Sequence, residues 1–397
     1  MTSSSLTQAL GYPKFRPGEA PRMLVLESDY FLVRDVIQSA RTLGWEVETL
    51  PIKLEGAAEA EMLKSLLMEL VRFQPDFLLT INHIGFDESG VLAGILEDYG
   101  IPLASWFVDH PLPILGGAEQ NATSNTQIFC YERTALPWLA RIGFEDPRHL
   151  PTASNPEQFH PKKVDQAVAA RMGRPLNLVA GSWFQRARID VTPEGADFAR
   201  QLASGREVNR QFLRDDLARL LDLNAPEHGR ALFVASQIAL GEATLQSRVE
   251  LVEGLKSLGI VVYGDSHWEK LVQGIELPGA VHPTRELASV FAGSEVNLNI
   301  TAVQMPSALN KRVWDVPGSG GFLLTDAQAD LFEYFETGID VATFSSTEEA
   351  AEKARYYLDN PAARDKVAAR GFERVEQAHR THHRLQSMVE VLAKRFG

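Results

Sequence analysis

The sequence predicts an α/β protein made of two doubly wound parallel sheets. Short apolar runs alternate with amphipathic helical stretches, the pattern of strands covered by helices on both faces. The alternation occurs twice, once before residue 110 and again after residue 175. Between the two series lies Leu150-Pro151-Thr152-Ala153-Ser154-Asn155-Pro156-Glu157-Gln158-Phe159-His160-Pro161, whose three prolines resist both helix and central strand. A chain of 397 residues is also too long for one compact core and suits two domains.

In the first half, Arg22–Glu27 is a short apolar run fit for a buried strand. Phe31–Leu43 has helical spacing and stops at Gly44. Trp45–Leu50 alternates as a strand, and Ala57–Phe73 is an amphipathic helix closed by Pro75. Asp76–Asn82 is the next strand, Ser89–Tyr99 a helix with Gly100 past its end, and Ile101–Val108 another strand, with Pro102 near its start. In the second half, Leu176–Gly181 reads as a strand and Ala231–Ala235 as another short apolar run. A helix follows from about Thr244 to Leu258, then a strand at Gly259–Gly264 and a helix at Arg285–Ala292. Val296–Ile300 is a strand, Pro306–Asp315 begins a helix, Gly318–Gly321 stops it, and Phe322–Asp326 is a buried strand ending in an acid. Ala187–Gly229 is a polar helical stretch suited to an insertion or a lid. A last helix, about Ala362 to Phe396, has a break near His379.

Composition narrows the function classes. The chain is 45% hydrophobic and 23% charged, an ordinary globular balance, and its formal net charge of −13 argues against a partner held by bulk positive charge, such as nucleic acid. The single cysteine, Cys130, excludes an intrachain disulfide framework and a multi-cysteine zinc site. No apolar run approaches the ~18 residues of a spanning helix, and the first 21 residues lack a signal-peptide core, so a cytoplasmic protein is expected. The dinucleotide fingerprint Gly-x-Gly-x-x-Gly, a Walker loop and a Gly-x-Ser-x-Gly elbow are all absent.

Candidate chemistry sits past strand ends. In the first half these positions are His83, Asp109 and His110; a carboxylate or imidazole there can take a proton from a hydroxyl. In the second half, strand, loop, helix start and carboxylate follow in the order that holds a nucleoside diphosphate. Ser307 would cap the helix, with the N–H groups of Ala308, Leu309 and Asn310 facing an anion. Lys311 and Arg312 are cations in a turn where the dipole disfavours them, which makes sense beside a bound anion. Asp315 shares their helix face. Gly264, Asp265 and Trp268 follow another strand, where the glycine permits close approach and the indole could wall a ligand. His379, His382 and His383, with Glu376 one turn before, have spacings that could bind a metal, but a solvated helix is the simpler reading.

Two sets of motifs resemble CgeB-type glycosyltransferases. One is Gln74–His83, Gly100-Ile101-Pro102 and Trp106–Pro111. The other is Val296–Ile300, Leu309–Asp315 and Gly321–Asp326, with Tyr356-Tyr357-Leu358 and the Gly371–Arg384 helix fitting the same pattern. The resemblance covers about residues 70 to 390. It implies a GT-B architecture, two Rossmann-like domains facing across a cleft. Residues 1–21 would be a loose tail, 22–165 an acceptor domain, 166–375 a nucleotide-sugar domain, and 376–397 a helix packing back on the first domain. It further implies a nucleotide-sugar donor (UDP or dTDP), a protein, lipid-linked or glycan acceptor, and neither a cofactor nor a metal. Related enzymes hold the donor with two glutamates separated by seven residues; Asp315 stands at the second position and Ser307 at the first. Asp109 or His110 would be the base of an inverting reaction. A nucleotide-sugar epimerase and a non-catalytic sugar- or protein-binding module of the same fold remain as alternatives.

Overall fold

The computed structural model describes residues 3–52, 60–184 and 226–397. The polar stretch 187–229 therefore lies outside the described residues as far as 225. The chain forms two compact units. One gathers 3–151, 226–230 and 381–397; the other gathers 152–184 and 231–380.

The first unit is built on six parallel strands: β1 Arg22–Glu27, β2 Glu46–Pro51, β3 Phe77–Ile81, β4 Leu103–Phe107, β5 Thr126–Cys130 and β6 Arg148–His149, in the order β2-β1-β3-β4-β5-β6. Every residue of β3, β4 and β5 is buried, as expected of strands covered on both faces. Successive β1 side chains divide between two cores. Met23 and Val25 join Leu32, Val33, Val36 and Ala40 of the Phe31–Thr42 helix and Leu385, Met388 and Leu392 of the Thr381–Phe396 helix. Leu24 and Leu26 join Leu66 and Leu70 of the Ala60–Phe73 helix and Leu92 and Leu96 of the Val91–Asp98 helix.

The second unit has five parallel strands: β7 Leu176–Val179, β8 Val261–Tyr263, β9 Val296–Asn299, β10 Leu323–Asp326 and β11 Ala342–Phe344, in the order β11-β10-β9-β7-β8. Leu324 faces a core with Leu251, Val252, Leu255 and Ala354. Leu323 faces another with Val313, Trp314 and Val316 of the Arg312–Gly318 helix. The helices Gln166–Met172 and Leu287–Gly293 cross so closely that a Cβ on Gly173 would lie 2.1 Å from the Gly293 carbonyl oxygen. In both sheets the strand order reverses beside the first strand, between β1 and β3 and between β7 and β9. The crevice past the strand ends at such a reversal is where ligands of this architecture bind.

One sequence expectation needs correction here. Ala231–Ala235 is not a strand but part of the Pro226–Leu255 helix; a short apolar run does not distinguish the two. The compact units divide at 151/152, where Ser154 bridges to Arg380 and Phe159 enters the second core. Further corrections concern the site itself.

Candidate functional site

In the first unit, three strand ends converge on Asp109. Its Oδ2 accepts hydrogen bonds from the Tyr30 hydroxyl, past β1, and from Asn82 Nδ2, past β3, both at 2.7 Å. Asn82 Oδ1 in turn accepts from the backbone N–H groups of Val108 and Asp109 at 2.9 and 3.1 Å. Asn82 and His83 both have left-handed backbones, φ +52° and +57°, a conformation costly enough to persist only where the surroundings hold it. The result is an exposed carboxylate with one oxygen fixed by two neutral donors. Oδ1 has no protein partner among the described residues. Such an acid can accept a proton from a bound hydroxyl.

The two histidines are placed differently. His83 is buried; its Nδ1 lies 3.0 Å from Ser105 Oγ and its ring packs on Phe86 and Phe107. Burial pulls its pKa down to about 4, against the opposing influence of the Asn121 amide and the Asp87 carboxylate. His110 is also buried, with Nδ1 accepting the Leu112 N–H at 3.3 Å, and burial pulls its pKa down to about 3. Both imidazoles are buried and held neutral, which makes them weaker candidates for the base than the exposed Asp109. Tyr30 and Asn82 were missed. The only sequence signal for them is position, just past strands β1 and β3.

In the second unit the expected helix start at Ser307 is corrected: the helix is Arg312–Gly318, only seven residues long. A tertiary contact sets its beginning. Asn310 donates from Nδ2 to Asn299 Oδ1 at 2.9 Å, and its own Oδ1 accepts the Arg312 N–H at 3.1 Å. Asn299 donates onward to Thr325 Oγ1. Ser307, Ala308 and Leu309 thus form a buried loop before the helix, with Leu309 in the core, and do not supply the helix-end N–H groups expected of them.

The two cations have different surroundings. Lys311 Nζ lies 3.3 and 3.5 Å from the two oxygens of Asp315, a buried carboxylate, and above the Phe159 ring. Arg312 is half-buried and has no hydrogen bond or ion pair from its guanidinium among the described residues. Burial pulls its pKa down, while Asp315 acts in the opposite sense. A desolvated guanidinium without a direct ion pair is suited to an anion with several oxygens.

Gly264 and Trp268 turn out to be structural. Trp268 is fully buried and its Nε1–H donates to the Ala180 carbonyl at 2.9 Å. Gly264 sits beneath that bond, where a Cβ would lie 2.3 Å from the same carbonyl oxygen and 2.6 Å from the indole nitrogen. The close approach is that of the tryptophan, so neither residue walls a ligand. Asp265 accepts from the Ser182 N–H and hydroxyl and from the His267 N–H. Burial pushes its pKa up, but these bonds outweigh it and hold the carboxyl below the usual range. Its work is to shape the Gly181–Ser182 turn past β7. Ser182, like Tyr30, was missed. The sequence-suggested metal set fails too: Glu376 is bonded to Arg380, and among the described residues no group of three or more metal-ligating side chains converges.

Comparisons with known proteins bear on this arrangement. Residues 242–390, which contain the Asn299–Asn310–Arg312 arrangement, match a family model described as glycosyl transferase-like. The fold is that of GT-B glycosyltransferases. It is similar to sucrose-phosphate synthase of Thermosynechococcus elongatus, with a TM-score of 0.58, 11% identity, and 95% of this chain and 99% of the other covered. It is also similar to HepE of Anabaena, solved with UDP and glucose, with a TM-score of 0.53, 9% identity and coverage of 94% and 99%. A glycosyltransferase of Rickettsia africae gives 0.52, 10%, 95% and 99%. No curated protein sequence matches the chain. The family-model match covers residues 242–390 only, and the structural neighbours share the fold. Among the described residues no helix is long and apolar enough to cross a membrane.

Proposed function

We propose that the protein, as a CgeB-type enzyme, moves a sugar from a nucleoside-diphosphate donor, UDP favoured over dTDP, to an acceptor hydroxyl. Arg312 is the observation that carries this reading: a half-buried guanidinium without a direct hydrogen bond or ion pair among the described residues, inside the glycosyl transferase-like segment. It would bind the diphosphate, with Asn310 fixing the backbone beneath it. Asp315, buried against Lys311, sets that ammonium in place; this geometry favours such a role over the donor contact that its place in the two-glutamate pattern implies. The Anabaena structures with UDP and with UDP-glucose support the choice of base.

Asp109 would be the base. The acceptor hydroxyl gives its proton to Oδ1, its oxygen bonds to the anomeric carbon, and the bond from that carbon to the diphosphate breaks. The leaving diphosphate takes the electron pair, and configuration inverts. No metal or cofactor is required in this reading, since a side-chain cation offsets the diphosphate charge.

A thermal-shift series with UDP, dTDP, GDP and CMP, with and without EDTA, tests it. The expected result is a rise in melting temperature with UDP that survives EDTA and disappears in Arg312→Ala. No shift with any nucleotide would favour the non-catalytic binding module.

A further inference from the structure

Phe31 is the first residue of the Phe31–Thr42 helix and is 54% exposed, among the most exposed large apolar side chains of the chain. Its ring stacks on Tyr30, with centroids 4.9 Å apart and planes at 28°. Tyr30 is the residue whose hydroxyl donates to Asp109 Oδ2 at 2.7 Å. An exposed aromatic face and an exposed carboxylate are therefore joined through one tyrosine. Both lie past the carboxyl ends of β1 and β4, with Asn82 past β3 between them, at the reversal of strand order in the first sheet. An aromatic side chain left in water at such a crevice points to a ligand with an apolar face.

We infer that Tyr30 and Phe31 form a platform for the acceptor, and that the acceptor is a neutral glycan whose terminal pyranose stacks on Phe31 and presents a hydroxyl to Asp109. This rests on the proposed transferase reading and names the acceptor class. A pyranose has one face of C–H groups, which suits a ring, and an edge of hydroxyls, which suits a carboxylate oxygen. A phosphorylated acceptor would place negative charge beside Asp109 on a chain already at −13. A peptide hydroxyl would use the carboxylate but has no ring face for Phe31.

Saturation-transfer NMR on the full chain with UDP present tests this, using cellobiose, maltose, lactose and chitobiose, and a serine/threonine peptide as the contrasting probe. The expected result is saturation of at least one disaccharide, strongest on its ring C–H protons. Affinity should fall about tenfold in Phe31→Ala, equivalent to about 1.4 kcal/mol, and recover in Phe31→Trp. Equal binding to wild type and Phe31→Ala would overturn the platform. So would no binding of any of the four sugars, or preferential binding of the peptide. A UDP-induced thermal shift measured on the same samples separates the readings: if it persists while the glycans fail, only the acceptor inference falls, and if it is absent, the transferase reading falls with it.

Discussion

The two units place an acid past their strand ends in opposite electrostatic settings. Asp109 is exposed, held by two neutral donors, and keeps its charge uncompensated. Asp315 is buried and pairs with Lys311, while Arg312 feels its charge without a direct ion pair among the described residues. One unit thus offers an exposed acid and the other a desolvated cation without a direct ion pair. A motif naming only residue types would treat the two acids alike; their neighbours decide which can do chemistry.

Asp109→Asn should break the contrast most severely. The amide oxygen can still accept from Tyr30 and Asn82, so the fold should hold while turnover falls by about 10²- to 10⁴-fold. Steady-state kinetics would read this, with the UDP thermal shift unchanged; near-normal turnover would remove Asp109 as the base.

The rival bases in the same unit are tested by pH. His83 and His110 are held neutral when folded, with pKa values of about 4 and 3 against an ordinary 6.5. The unfolded chain therefore binds more protons between those values, and stability should fall as pH drops from 6.5 towards 4. For His83 alone the full loss is about 3 kcal/mol. Urea unfolding at about pH 7.5 and 5 should show a shallower decline in His83→Asn, a residue that tolerates the left-handed backbone; an unchanged decline would mean that His83 is not buried neutral.

On the other side of the comparison, Arg312→Ala should weaken UDP binding by about 2 kcal/mol, the scale of a charge-assisted hydrogen bond. Isothermal titration would measure it. Lys311→Met should cost less, because that ammonium already has its partner, and the reverse ranking would undo the contrast drawn between the two cations.

The smallest effect is expected from Tyr30→Phe, which removes one donor from Asp109 and keeps the ring. Turnover should fall about fivefold, since a neutral hydrogen bond contributes about 1 kcal/mol and Asn82 still holds the carboxylate. Steady-state kinetics would read this, and unchanged turnover would show that the tyrosine hydroxyl does not position the acid.

The sequence revealed the strands that are continuous apolar runs, among them Arg22–Glu27, Phe77–Ile81 and Leu323–Asp326, because full burial leaves that trace. It hid Ala342–Phe344 and Arg148–His149, which are too short to show a period, and Thr126–Cys130, where Gln127 interrupts the run. Arg312 and Asp109 were legible as charged residues past strand ends. Their partners were not. The start of the Arg312–Gly318 helix depends on Asn299, eleven residues before Asn310, and the setting of Asp109 depends on Tyr30, 79 residues away; local capping signals carry neither.

Arg380 makes the closing of its unit wait for one late residue. Its fully buried guanidinium donates to the Ser154 hydroxyl, the Phe159 carbonyl and the Gly318 carbonyl, spanning 226, 221 and 62 residues of chain. The first unit likewise takes Leu385, Met388 and Leu392 into a core begun by Met23. As the ribosome delivers the polypeptide from the N-terminus, neither unit can close its interior until the segment from Arg380 to Leu392 emerges. A nonsense codon anywhere before residue 380 would therefore spoil both halves at once, and the exposed sheets waiting for those residues are where chaperones would be needed most.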